Sequence, residues 1–172
     1  ERLDLGAVQV TDGDVEILKD LKSLKRVEVR GPTRLSSKGT KLITKAPSIE
    51  ELFLSHVPMD SASYDAISQI QNLRKFKLIT LEIRNSDLQR LGASKSIKAM
   101  EISAGESDDI DWGFLGKLRE IESISLTCSR GPTRRSLKKQ NISTHQIDAR
   151  KQRAGGLSYR SRLRRRLAVV VG

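Results

Sequence analysis

Apolar residues recur along the first three quarters of the chain as pairs separated by one position, and the pairs return at a nearly constant spacing of about 24 residues. The pairs are Leu3/Leu5, Val27/Val29, Leu52/Leu54, Phe76/Leu78, Met100/Ile102 and Ile124/Leu126. Three positions before every pair except the first stands another apolar residue, at Leu24, Ile49, Leu73, Ile97 and Ile121. Residues i and i+2 of a strand point to one face, so each pair predicts a short strand with one buried face. The constant spacing indicates one repeated structural unit.

The segments between the predicted strands carry a second apolar set at helical spacing, for example Val15, Leu18 and Leu21. Residues that favour helix starts precede these segments at Thr11–Asp12, Asp60–Ser61, Asn85–Ser86 and Asp108–Asp109. Each unit is therefore predicted to run strand, turn, short helix, turn, and a unit of this length suffices to reach a parallel neighbouring strand. The second unit holds one extra residue and contains Gly39, so we expect its return segment to be irregular rather than helical.

The stretch LDLGAVQVTDGDVEILKDLKSLKRVEV, residues 3–29, resembles a leucine-rich repeat. It is similar to the bacterial and ribonuclease-inhibitor-like varieties, in which an LxxLxLxx strand is followed by a TDxGL-like helix start. The resemblance covers residues 1 to about 129. It implies an α/β fold, a curved leucine-rich repeat solenoid of about six 24-residue repeats, with parallel β-strands on the concave side and short helices on the convex side.

Charge divides the chain near Arg130. Residues 1–129 hold 19 Lys and Arg against 20 Asp and Glu, whereas residues 130–172 hold 13 Lys and Arg and the single acid Asp148. We therefore predict a solenoid over 1–129 and a basic, disordered tail over 130–172. The abrupt change leaves open whether residues 130–172 are native coding sequence. Because the chain begins at Glu1 in the middle of the pattern, we expect a fragment of a longer protein, and the compartment stays open with the cytoplasm slightly favoured.

Residues that flank each buried pair are predicted to point outward on the concave face. Those expected to bind a partner are Arg26, Glu28, Arg30, Glu51, Phe53, Ser55, Lys75, Lys77 and Glu101. With strands about 4.8 Å apart, this ladder is roughly 25 Å wide, which suits a protein or peptide rather than a small-molecule substrate. Phe53 is the candidate anchor, because aromatic residues are enriched at interface hot spots. The simpler interpretation is that alternating charges only keep the surface soluble.

The sequence does not indicate a catalytic, metal or cofactor site. His56 and His145 lie in unrelated segments without a second metal ligand at a suitable spacing, and no glycine-rich phosphate loop occurs. The one cysteine, Cys128, follows a strand and is expected to be a small buried filler. We therefore predict a noncatalytic protein–protein interaction scaffold whose partner the sequence does not identify. The alternatives are nucleic-acid or anionic membrane-surface binding through the basic tail, or the recognition segment of a larger enzyme or receptor.

Overall fold

The computed structural model describes residues 1–6, 9–31, 33–107, 111–128, 147–151, 157–163 and 167–171. The strands are β1 (Arg2–Leu5), β2 (Arg26–Arg30), β3 (Glu51–Ser55), β4 (Lys75–Ile83), β5 (Ala99–Ser107), β6 (Ser123–Cys128), β7 (Ile147–Lys151), β8 (Leu157–Leu163) and β9 (Leu167–Val171). The α-helices are α1 (Asp12–Glu16), α2 (Ser37–Ile43), α3 (Ser61–Ser68) and α4 (Asn85–Leu91). Short 3₁₀ helices span Ile17–Asp20 and Trp112–Lys117.

All of these strands belong to one sheet, in the order β1-β2-β3-β4-β5-β6-β9-β8-β7. The first six strands are parallel and follow chain order, and an α-helix or a 3₁₀ helix lies between each strand and the next from β1 to β6. The strand register aligns the apolar pairs as predicted, because Leu54 stands opposite Val29 and Leu78, and Leu78 stands opposite Ile102. The chain is therefore an α/β protein whose apolar pairs line up across six adjacent parallel strands.

The apolar pairs form the core together with the helices. From β2 to β6 both members of every pair are buried, as are the preceding apolar residues Leu24, Ile49, Leu73 and Ile97. Leu3 and Leu5 are only partly buried, since β1 ends the sheet. The helices contribute buried side chains such as Leu18 and Leu88 to the same cluster. Each fully buried side chain of this size contributes about 1.5–3 kcal/mol relative to an exposed one, so packing between rungs holds the fold together.

Side-chain hydrogen bonds cap the N-termini of helices at starts that the sequence predicts. At α1 the Thr11 backbone N–H and hydroxyl both donate to Asp14 Oδ2, at 2.8 and 2.7 Å. At α3 the Ser63 backbone N–H donates to Asp60 Oδ1 at 2.8 Å, and bonds from Ser63 hold the pKa of Asp60 far below its ordinary value. Asn85 is the first residue of α4. The predicted start at 108–109 lies outside the described residues.

The prediction of an irregular second return segment is wrong. Helix α2 forms there, and the Ser36 hydroxyl caps it by accepting from the Lys38 backbone N–H at 3.1 Å. Gly39 does not break this helix but lets it approach α1. The Asp12 carboxylate of α1 accepts from the Ser36 N–H at 2.8 Å and from its hydroxyl at 2.6 Å, and a Cβ at position 39 would overlap that carboxylate.

The predicted basic tail contains the strands β7, β8 and β9. Strand β9 runs parallel to β6, with Val169 opposite Ile124 and Val171 opposite Leu126, and β8 and β7 follow in antiparallel pairing. The rest of 130–172 lies outside the described residues, so the division near residue 130 and the expected disorder stay predictions. Of the helices in the described part of the chain, none has the length and apolar composition needed to cross a membrane.

Candidate functional site

The nine residues predicted to bind a partner come together on the sheet face opposite the apolar pairs. Parallel register places them in three rows across β2 to β5, namely Arg26–Glu51–Lys75, Glu28–Phe53–Lys77–Glu101 and Arg30–Ser55. Arg2 and Asp4 of β1 extend the first two rows. We call these eleven residues the charged face. The predicted set leaves out Arg2 and Asp4, although the same alternation along β1 points to them.

Three arginines enclose the carboxylate of Glu28. Glu28 Oε1 accepts from Arg2 Nη2 at 3.0 Å and from Arg26 Nε at 2.8 Å, and Oε2 accepts from Arg30. The Glu28 side chain is 1% exposed, so it does not reach the surface as expected. Its place is beneath the guanidinium groups, which it holds side by side. Glu28 therefore orders the surface rather than contacting a partner.

The charge of Glu28 is maintained despite its burial. Desolvation alone would raise the pKa of this carboxyl group, but hydrogen bonds from Arg26 and Arg30 outweigh it and hold the pKa below 4.5. Asp4 Oδ2 lies 3.6 Å from both Arg2 and Arg30 and contributes a second negative charge. Three cations and two anions leave this cluster with one net positive charge. Because Glu28 is covered, the accessible surface of the cluster is mainly guanidinium.

We expect the substitution Glu28→Gln to lower the free energy of unfolding by about 1–2 kcal/mol near neutral pH. The amide keeps the size and one acceptor oxygen of the side chain but removes the charge that the three arginines share. The effect stays below that of a fully buried ion pair because the arginine side chains are 41–55% exposed. Denaturant unfolding of the two proteins measures the difference.

The same pair of proteins gives a test with pH. The pKa of Glu28 is lower in the folded chain than the ordinary 4.5, so its ionised form stabilises the fold above about pH 4.5. This contribution is lost as the pH falls through the folded-state pKa. The stability difference between the wild type and Glu28→Gln should therefore shrink as the pH falls below about 4.5. If this stability difference stayed constant as the pH fell, the arginines would not be holding the Glu28 carboxylate in its ionised form.

On the charged face, the Phe53 ring lies between a cation of β2, Arg30, and a cation of β4, Lys77. The Arg30 guanidinium carbon is 5.4 Å and the Lys77 Nζ is 5.3 Å from the ring centroid. Both distances are within the range of cation–π attraction. Lys77 Nζ also pairs with Glu101 Oε1 at 2.7 Å. The ring is half-buried, so it is less exposed than the sequence suggests, but its neighbours hold it in place.

A groove of about 360 Å³ runs along this face from β2 toward β6. At its β2 end, Glu51 joins two strands by pairing with Arg26 Nη1 at 2.8 Å and with Lys75 Nζ at 2.9 Å. At the other end the lining becomes uncharged, with Ser123 and Ser125 of β6. The groove therefore carries charged side chains from β2 to β5 and only uncharged ones at its β6 end.

No protein-family model matches the chain, and no curated protein matches it. The resemblance to leucine-rich repeats accordingly rests on the residues and spacing alone.

The histidines and the cysteine of the chain do not form a metal-binding group among the described residues. Within that part of the chain, no three His, Cys, Asp or Glu side chains come together as a metal site would require. His56 is a turn residue directly after β3, with φ of 54° and its Nδ1 3.0 Å from the Ser55 hydroxyl. Cys128 ends β6, and His145 lies outside the described residues.

Proposed function

We propose that residues 1–129 form a leucine-rich-repeat-like solenoid that acts as a noncatalytic scaffold and binds another protein through the charged face. The observation that carries the proposal is the common register of six parallel strands that follow one another at a nearly constant separation along the chain. The residues opposite one another in the first row of the core are Leu3, Val27, Leu52, Phe76, Met100 and Ile124. Such a ladder repeats equivalent outward positions and so builds one continuous surface.

The charged face is suited to an acidic peptide segment. Five cations and four acids belong to it, and one of the acids, Glu28, is covered. The accessible layer therefore has two more positive than negative groups. The guanidinium groups match carboxylates in geometry, and the Phe53 ring offers an apolar contact beside them. Because internal ion pairs already hold these side chains, a partner loses less free energy to ordering them.

A peptide-display selection against the full 172-residue chain tests this function. We expect enrichment of peptides that combine acidic residues with an apolar one. Their dissociation constants should rise about tenfold with Phe53→Ala or with Arg30→Glu. The control is Lys38→Glu, an equal charge change at an exposed position of α2, which should leave binding unchanged. Selected peptides that bind all four proteins equally would exclude the charged face as their site.

A second candidate function is favoured by the 13 Lys and Arg of residues 130–172, against one acid. In this candidate function, residues 130–172 bind the phosphate groups of a nucleic acid or of an anionic membrane. It predicts steep loss of affinity with salt, because each phosphate contact releases bound counterions. Titrating a labelled single-stranded oligonucleotide at two salt concentrations separates the candidates. Peptide binding at the charged face should survive the salt that releases the oligonucleotide.

A further inference from the structure

A cavity of about 550 Å³ opens where β3 and β4 end and the chain turns toward α3. Its walls include His56, Met59, Tyr64, Leu81 and Asp87, and none of its lining residues belongs to the charged face. Small-molecule sites commonly have volumes of about 300–1,000 Å³. In parallel α/β sheets they form beyond the carboxyl ends of the strands, which is where this cavity lies.

Three carboxylates line the cavity, and two of them are already paired. Asp60 Oδ2 lies 3.2 Å from Lys41 Nζ, and Glu82 Oε1 accepts from Arg84 Nε at 2.9 Å. Asp87 accepts the Arg84 backbone N–H at 3.1 Å but forms no ion pair within the part of the chain that the structure describes. Asp87 is therefore the carboxylate of this lining without a direct ion-pair partner among the described residues.

Tyr64 supplies a polar group without a protein partner. Only 5% of the residue is exposed, and no hydrogen bond of its hydroxyl is found among the described residues. Burial and the negative field of Asp87 raise the pKa of Tyr64 above its ordinary value, so the hydroxyl stays neutral. A phenol oxygen can then accept a hydrogen bond from a cation placed beside Asp87. Tyr64 lines the cavity, and its hydroxyl is not among the fully buried atoms that lack a partner, so a bound group can reach it from the cavity.

The remaining wall is apolar. Leu81 is 74% exposed, which is unusual for a large aliphatic side chain in the described part of this chain, and Met59 is half-buried nearby in the same lining. Contact with an apolar stem would remove this surface from water. A ligand that combines a positive group with a short apolar stem would thus contact the Asp87 carboxylate with the one and this apolar wall with the other.

We propose that this cavity binds an organic monocation, a primary ammonium or guanidinium group on an apolar stem. Its N–H groups donate to the Asp87 carboxylate and to the Tyr64 hydroxyl oxygen, and its stem lies against Met59 and Leu81. The same group can belong to a free amine or to a lysine or arginine side chain of a peptide. The site does not depend on the charged face, so it stands or falls separately from the proposed scaffold function.

The test is a nuclear magnetic resonance titration of the full chain with n-hexylamine. We expect saturable shifts of the backbone amides at 56–61 and 80–87, and binding of the neutral analogue n-hexanol at least about tenfold weaker. Nα-acetyl-lysine methylamide is the second probe. Tighter binding of hexylamine would identify a free amine as the ligand, and tighter binding of the lysine derivative would identify a peptide side chain.

Two nearly isosteric variants locate the cation. Asp87→Asn keeps an oxygen for the Arg84 N–H and should weaken hexylamine about tenfold, while Tyr64→Phe keeps the ring and should weaken it about threefold. The matched control is Glu101→Gln, the same change of charge on the charged face, which should leave affinity unchanged. Equal binding of hexylamine and hexanol, unchanged affinity in Asp87→Asn, or no saturable shift in the wild type would overturn the proposal.

Discussion

The variant Leu52→Asp should lose about 3–5 kcal/mol of unfolding free energy. Leu52 is 2% exposed and stands between Val27 and Phe76, which are themselves buried on the neighbouring strands. None of these neighbours can pair with a carboxylate, so the charge must be desolvated or the strand must leave the sheet. A loss of this size is a large share of the roughly 5–15 kcal/mol that typically stabilises a domain. Far-UV circular dichroism and guanidinium unfolding measure it.

The matched control places the same residue three positions later on the opposite face. Ser55 is half-buried at the end of β3, beside solvent rather than the core, so Ser55→Asp should change stability by less than about 1 kcal/mol. If Leu52→Asp and Ser55→Asp melted at the same temperature, residue 52 would not face the core. The register of the apolar pairs would then be wrong.

Adding one methyl group at position 39 should destabilise the chain by about 2 kcal/mol. A Cβ there would overlap the Asp12 carboxylate and lie 2.7 Å from Leu35 Cδ2. The carboxylate cannot easily move, because two hydrogen bonds from Ser36 hold it. Helix propensity alone favours Ala over Gly, so the direction of the effect distinguishes crowding from propensity. The melting temperature should fall by about 4–8 °C.

Gly13→Ala in α1 is the matched comparison for Gly39→Ala. A Cβ at position 13 would meet only Thr11 Oγ1, at an ordinary 3.7 Å. The helix gains from Ala without a clash, so this variant should be neutral or more stable by up to about 1 kcal/mol. Of these two variants with the same chemical change, only Gly39→Ala should thus lower the melting temperature. A Gly39→Ala protein as stable as the wild type would mean that α1 and α2 are not closely packed.

The strands and their register could be predicted from the spacing of apolar pairs, because strand periodicity and a constant repeat length leave one consistent alignment. Leu54 opposite Leu78 follows from that alignment alone. The helix at α2 could not be predicted in the same way. Gly39 and an extra residue weaken the local signal, whereas the reason for the glycine lies in another unit, at Asp12.

The charged face could be predicted only as a set of positions. Alternation tells which way Glu28 points, but its burial depends on how far three long arginine side chains reach across two neighbouring strands. The cavity beside Tyr64 could not be predicted from the sequence for a related cause. Its walls come from the return segments of two successive units, and no local motif marks them. Leu81 is an apolar residue of β4, and its exposure of 74% is visible only in the structure.

The nearly constant separation between neighbouring strands also affects how the chain opens. Each strand pairing from β1 to β6 closes a chain segment of nearly the same length. The loss of chain entropy on closing the segment is therefore similar for every pairing. Strand β1 has one neighbour, and its leucines are only partly buried. Among β1 to β6, amide hydrogen exchange should therefore be fastest in β1 and slowest in β3 and β4, as a gradient of protection rather than a single cooperative value.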